Sequence, residues 1–229
     1  MHPGAIQEEE PDLRLSPRLK AVADLVPPCR IVFDIGTDHA KLPLYLVKAE
    51  RCQAAVAADL RSGPLRQAEK NIQKHNLQNR VSTVLTDGLN GLSIQSEDVV
   101  VLAGLGGLEI CRILSGAPAC RQMIVQAMKH LPQVRRWLHG QGYRIVRETL
   151  ATERGRFYPV LAAAWQGEPE ELDDLPAWIG PCLIRQPTPL LIAYVHKLLR
   201  QLQLQIRSGP ELRPVAEELA AWLKERGAT

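Results

Sequence analysis

Aromatic residues are scarce in this chain, 4% of 229 residues, with two phenylalanines, four tyrosines and four tryptophans. Any surface that stacks flat rings must therefore come from very few positions. Cysteine is sparse and scattered: Cys29, Cys52, Cys111, Cys120 and Cys182 are odd in number and contain no CxxC pair. That spacing argues against a metal site or a disulfide framework and for free thiols in a reducing compartment. No uninterrupted apolar stretch is long enough to cross a bilayer, and the first residues carry Glu8, Glu9 and Glu10 in place of a signal peptide's apolar core. A cytoplasmic protein with no membrane partner is expected. No internal repeat is present, and the net charge of +3 is too small to establish nucleic-acid binding by itself. Hydrophobic content of 45% and charged content of 23% are ordinary, and the length allows one α/β domain plus an appendage.

The chain also lacks a GxGxxG fingerprint, yet its stretch from Ile31 to Leu46, IVFDIGTDHAKLPLYL, has the shape of a ligand-binding βα unit. Ile31, Val32, Phe33 and Ile35 form the short apolar run of a buried parallel strand, and Gly36 permits a turn that brings a ligand close to the main chain. The segment from Ala40 to Glu50 follows with helical spacing, so its N-terminal amides face the same crevice. Asp34 and Asp38 flank the turn, and two acids make a poor host for pyrophosphate. A cationic ligand suits them better, which favours S-adenosylmethionine, with its sulfonium and ammonium groups, over a nicotinamide dinucleotide.

Three later segments repeat the arrangement. CQAAVAADL ends a second strand at Asp59, where an acid can accept from both ribose hydroxyls, and VSTVLTDGL places Asp87 and Gly88 where an acid or a main-chain group meets the adenine edge. EDVVVLAGLGG ends a fourth strand in Ala103, Gly104, Leu105, Gly106 and Gly107, a floor almost without side chains. Asp34 is expected to anchor the methionine amine or order the loop. His39 is a second polar contact or a structural histidine.

LSPRL, DIGTDHAKLPLYL, ADLRSGPLRQAEKN, TDGL, AGLGG and GRFY occur in this order. In this the chain resembles the bacterial tRNA adenine-22 N(1)-methyltransferases, the TrmK family, from about Leu15 to Trp165, and IGPCLIRQPTPLLIAYVHKLL resembles the start of that family's C-terminal helical extension. It departs in having Leu105 where the family usually has methionine, Ala127 where it has proline, and Pro159 where it tends to have an acid. The resemblance implies a class I methyltransferase fold, S-adenosylmethionine as cofactor, and methyl transfer to an adenine of the tRNA D-arm. Nitrogen 1 of adenine lies on the Watson–Crick edge, so the base must be exposed or flipped and then stacked. Asp38 is the expected catalytic carboxylate beside the ring, with a helix N-cap as its alternative role. Tyr158, with Phe157, is the expected stacking wall. Arg18, Lys41, Arg135, Arg136 and Arg156 are the expected RNA contacts.

Charge is segregated. Eight Lys or Arg residues lie between Arg121 and Tyr158 against Glu148 and Glu153, five acids crowd Glu168 to Asp174, and Arg185, Lys197, Arg200, Arg207 and Arg213 face only Glu211. Such separation favours a polyanion lying across one side. The expected fold is a mostly parallel seven-stranded α/β sheet. Strands fall near 30–35, 53–58, 81–86, 98–102 and 122–127, and YRIVRETLA and RFYPVLAAAW close the edge as an antiparallel pair. Ser16 caps a first helix that starts at Pro17. A disordered tail over 1–14, a methyltransferase domain over 15–165, a linker over 166–187 and a helical hairpin packed on itself over 188–229 complete the expectation, as a monomer or weak homodimer.

Overall fold

The computed structural model describes residues 13–116, 120–206 and 209–228. Most of the tail expected to be disordered, residues 1–12, lies outside them, as do Arg207 and Ser208; Leu13, at the tail's inner end, packs against the core.

Among the described residues seven strands form one sheet: β1 (Cys29–Ile35), β2 (Cys52–Asp59), β3 (Val81–Leu85), β4 (Val99–Leu105), β5 (Gln122–Ala127), β6 (Tyr143–Glu153) and β7 (Arg156–Trp165), in the order β3-β2-β1-β4-β5-β7-β6. The first five are parallel, and β7 is antiparallel to both β5 and β6. Val32 and Val99 to Leu102 are buried, because helices cover both faces of the central strands and neither face can be polar. One face packs on α1 (Pro17–Leu25), α2 (Lys41–Lys48) and α3 (Ser62–Lys74), the other on α4 (Gly107–Ser115) and α5 (Leu131–Gly140). Ser16 caps α1 as expected, its hydroxyl accepting from the Leu19 amide at 3.4 Å. Strand order reverses at β1, between β2 and β4, and at such a switch point a crevice opens at the carboxyl ends of the strands.

β6 and β7 are joined by Arg154 and Gly155, both at positive φ (50° and 71°), as a tight two-residue hairpin turn requires. Their ends project past the sheet and meet the C-terminal segment: α6 (Asp174–Ile179), a 3-10 turn at Leu183–Arg185, α7 (Pro189–Gln205), a second 3-10 turn at Pro210–Leu212, and α8 (Arg213–Lys224). Leu191, Tyr194, Val195 and Leu202 of α7 pack against Val215, Leu219, Trp222 and Leu223 of α8, so the hairpin does pack on itself. It also docks, because Ile179, Trp178, Leu150 and Phe157 belong to the same apolar cluster.

The stretch 166–187 is tied to the domain by backbone bonds of Gln166 and Glu170 to Gly142 and His139 and, around α6, by a buried ion pair. Arg135 and Glu148 have no exposed side-chain surface and pair at 2.8 Å. Arg135 Nη1 donates to the carbonyls of Ala177 and Trp178 at 2.8 and 3.0 Å, and Nη2 to that of Ile179 at 3.2 Å. These are orphan carbonyls at the end of α6, where the helix dipole favours a cation. Glu148 Oε2 accepts from the Cys182 amide at 2.9 Å. The turn passes so close that a Cβ on Gly180 (φ +124°) would lie 2.5 Å from Glu148 Oε2.

Candidate cofactor and acceptor site

The tips of β1, β2, β3 and β4 bring the expected cofactor residues to one edge of the sheet. After β1 the chain turns at Gly36 (φ +74°), and the amides of Gly36 and Thr37 donate to the Ala58 carbonyl of β2 at 2.8 and 3.0 Å. A Cβ on Gly36 would meet Leu105 Cδ2 at 2.9 Å, so this glycine lets two strand tips close on each other. His39 and Ala40 then take left-handed conformations (φ 59° and 55°). Ala40, not Asp38, is the N-cap of α2, and no side chain caps its first turn. The capping role considered for Asp38 is thereby removed. Its side chain is 68% exposed at the mouth of the crevice, 3.5 Å from His39 Nε2.

Asp34 is buried beneath this loop, and burial pushes its carboxyl up to about 6; the neighbouring acids Asp38 and Asp59 push the same way, while Arg18 opposes them. Asp59 is buried at the tip of β2, where its Oδ1 accepts from the Arg61 amide at 2.8 Å. Among the described residues the hydrogen bonds to its carboxylate come from Arg61 and fall on Oδ1. Asp87 is more exposed and already engaged: Arg112 donates to Oδ1 at 2.6 Å and Oδ2 at 3.3 Å, and holds the carboxyl below its usual range. Beside it Gly88 (φ +62°) keeps the turn tight against Ile113, which a Cβ would approach to 3.0 Å. Leu60, 64% exposed directly after Asp59, offers an apolar face that the sequence had not singled out.

At β4, Ala103 is half-buried, Gly104 has φ +82° and Gly106 is the N-cap of α4. The floor is not left bare: a Cβ on Gly104 would stand 3.3 Å from Arg18 Nη1. Arg18 reaches in from α1, donates to Gln126 Oε1 at 2.9 Å, and lies 6.0 Å from the Tyr158 ring centroid. Expected on an RNA phosphate, it is half-buried here, and its guanidinium ties β5 to β7. Gln126 is fully buried, its Nε2 donating to the Ala127 carbonyl at 3.0 Å. A lone amide inside the apolar run MIVQA was the available signal for it.

The expected RNA contacts divide. Lys41 and Arg156 are exposed and free to meet a polyanion. Arg135 is corrected: it is wholly buried against Glu148 and α6, out of reach of any RNA. Arg136 stays partly exposed but pairs with Asp174 of α6. Both sit on α5, and the sequence could not show that its outer face is covered. The stacking wall also splits, since Phe157 turns onto Tyr194 of α7 (ring centroids 5.7 Å apart) while Tyr158 stays half-buried near Arg18.

Two buried carboxylates at adjacent strand tips, a turn that excludes a Cβ and a glycine-rich floor suit a ligand that carries an ammonium group and a ribose diol. Residues 15–161 match the methyltransferase domain family. The tRNA (adenine(22)-N(1))-methyltransferase of Bacillus subtilis is 33% identical over 156 residues, which span 66% of this chain and 66% of that relative. The crystal structure of the B. subtilis M1A22 tRNA methyltransferase TrmK superposes with a TM-score of 0.79 at 27% identity, covering 93% of this chain and 99% of that one. The M. capricolum TrmK structure with S-adenosyl-homocysteine gives 0.81 at 26% identity, covering 92% and 98%. The chain belongs to the methyltransferase domain family, on the branch of the TrmK-type tRNA methyltransferases, and S-adenosylmethionine is its cofactor.

Proposed function

We propose that this protein methylates N1 of an adenine in the tRNA D-arm, at position 22, and that it does so in the cytoplasm as a monomer or weak homodimer. The observation that carries the proposal is the junction of two half-sites at β4: buried Asp34 and Asp59 on one side of Gly104, and the Arg18, Gln126 and Tyr158 cluster on the other. Among the described residues no helix is long and apolar enough to cross a membrane.

Bound S-adenosylmethionine supplies a methyl group made electrophilic by its sulfonium. The protein has to set the acceptor nitrogen about 3–3.5 Å from that carbon and keep water out. Asp34 would hold the methionine ammonium, Asp59 the ribose diol, the Asp87–Gly88 turn the adenine edge and Leu60 the adenine face. Tyr158 would carry the extruded target base, whose unstacking costs roughly a few kcal/mol. Methylation at N1 leaves positive charge on the ring, and Asp38, exposed at the mouth, is the carboxylate placed to stabilise it or to take a proton from the 6-amino group. Labelled cofactor incubated with unmodified tRNA should yield label in 1-methyladenosine at position 22. Label in another nucleoside, or none in tRNA, would refute the assignment.

Asp34 makes cofactor binding depend on pH. In the ligand-free protein its carboxyl titrates near 6 against 3.8 for an ordinary one, so the folded state holds the proton more tightly than the unfolded chain. The stability this adds is complete below about pH 4 and is lost as pH rises through about 6. An ammonium partner needs the ionised form, so binding should release a proton near pH 6 and weaken about tenfold per unit below it. Calorimetry from pH 5 to 8 in buffers of different ionisation enthalpy measures both effects. Asp34→Asn should flatten the profile, and an unchanged slope in that variant would exclude Asp34 as the titrating group.

Tyr158→Ala should lower kcat/KM for tRNA by about 5- to 150-fold, the worth of ~1–3 kcal/mol of base stacking, with cofactor affinity retained. Normal turnover of this variant on tRNA would remove Tyr158 from the acceptor site.

A further inference from the structure

Beside the crevice lies a second concavity of about 460 Å³, between the tips of β5 and β7 and the C-terminal helices. No residue of the cofactor crevice lines it: Asp34, Gly36, Asp59, Gly104 and Gly106 are all absent from its walls. Ala127 and Met128 of its wall adjoin the tip of β4, the Met128 amide bonded to the Leu105 carbonyl at 2.8 Å. Tyr158, 6.0 Å from Arg18, is the one member of the acceptor cluster that lines this cavity, so a base seated deeper, among Phe157, Trp178 and Tyr194, is a neighbour of the base that reacts.

The lining has a defined chemistry. Phe157, Tyr158, Trp178 and Tyr194 supply aromatic surface, four of the ten aromatic residues in the whole chain. Lys129, Arg156 and Lys197 supply three positive charges, and among the described residues no aspartate or glutamate lines it. Lys197 Nζ sits 5.4 Å from the Phe157 ring centroid and donates to the Gly155 carbonyl at 3.3 Å, which holds the cation at the rim of the aromatic wall. The volume lies within the ~300–1,000 Å³ range of small-ligand pockets. Flat rings beneath a ring of cations fit a ligand that is itself a flat ring with an attached anion. The walls are also rigidly built, since α6, which carries Trp178, is pinned by the buried Arg135–Glu148 pair.

We propose that this cavity holds a second nucleotide of the tRNA, one next to the methylated adenine, with its base against the aromatic wall and its phosphate on Lys129, Arg156 and Lys197. The inference rests on the tRNA reading given above. It assigns the C-terminal helices a direct part in recognition: α7 contributes Tyr194, Lys197 and Gln201 to the site, and α6 contributes Trp178. Holding a neighbour of the target fixes the phosphodiester path on one side of the flipped base, which is how a single adenine could be selected among several exposed ones.

The test uses the full chain and a tRNA transcript with 2-aminopurine placed in turn on either side of the target adenine. Binding to the wild-type protein should quench one of the two probes at least threefold by stacking. Gln201→Trp fills the cavity from exposed α7 without changing charge; it should abolish that quenching and raise KM for tRNA at least tenfold, with cofactor affinity unchanged. Lys197→Ala should weaken tRNA binding and lower its salt dependence by about one ion. If wild-type protein methylates the transcript but neither probe is quenched, or if Gln201→Trp leaves quenching and KM as they were, the second-nucleotide site is overturned. Absence of methyl transfer by the wild type would instead overturn the reading on which it rests.

Discussion

Asp59→Ala should weaken S-adenosylmethionine binding by tenfold to more than a hundredfold. Asp59 is buried at the tip of β2, and the Arg61 amide fixes its Oδ1 at 2.8 Å, so the carboxylate is held in place before any ligand arrives. A hydrogen bond to an ionised group contributes about 1.5–3 kcal/mol, which converts to that range of affinity. Asp59→Asn should lose less, because one amide oxygen can still accept. The effect should fall on the cofactor alone, since Asp59 on β2 lies three strands from Gln126 on β5 and four from Tyr158 on β7 in the sheet order. Calorimetric titration with S-adenosylmethionine measures it, and an unchanged Kd in a folded Asp59→Ala protein would exclude the ribose contact.

The largest effect on stability should come from Arg135→Met. This substitution keeps much of the side-chain volume but leaves the buried carboxylate of Glu148 without its counter-charge and the carbonyls of Ala177, Trp178 and Ile179 without the guanidinium. Removing one member of a buried ion pair costs about 3–5 kcal/mol, and in a chain of this size each kcal/mol lowers Tm by roughly 2–4 °C. A fall of roughly 6–20 °C is expected by scanning calorimetry. Arg136→Ala on the same helix provides the contrast: its pair with Asp174 is 37% and 46% exposed, and such pairs contribute at most about 1 kcal/mol. Equal losses from the two variants would mean that the burial of Arg135 is not what anchors α6.

These two arginines also mark the limit of what the sequence can say. The strands, their parallel order and the acids at their tips are legible because a buried parallel strand has no polar face, so each one reads as an apolar run that stops at a ligand-facing residue. Asp34, Asp59, Gly36 and Gly104 fall where that pattern puts them. Contacts made across the fold leave no such trace. A basic pair on the amphipathic helix α5 looks the same whether solvent, RNA or another helix covers it, and only the docking of α6 turns Arg135 into an internal clamp. Arg18 was legible as a cation near the site but not as the donor to Gln126, because its partner lies on β5, far along the chain. For Asp38 a helix cap is the alternative role in the sequence, because it stands just ahead of the helical pattern that begins at Ala40. The left-handed residues His39 and Ala40 delay the helix and leave Asp38 at the surface. Trp178 carried no signal at all, since Pro and acidic residues made its surroundings look like a spacer.

The most direct measurement is a crystal structure of the protein with S-adenosylmethionine bound. The account predicts the methionine ammonium on Asp34, the ribose diol on Asp59 and the methyl carbon above Gly104, directed toward Arg18, Gln126 and Tyr158. A cofactor found anywhere else, with both carboxylates contacted only by water, would contradict it.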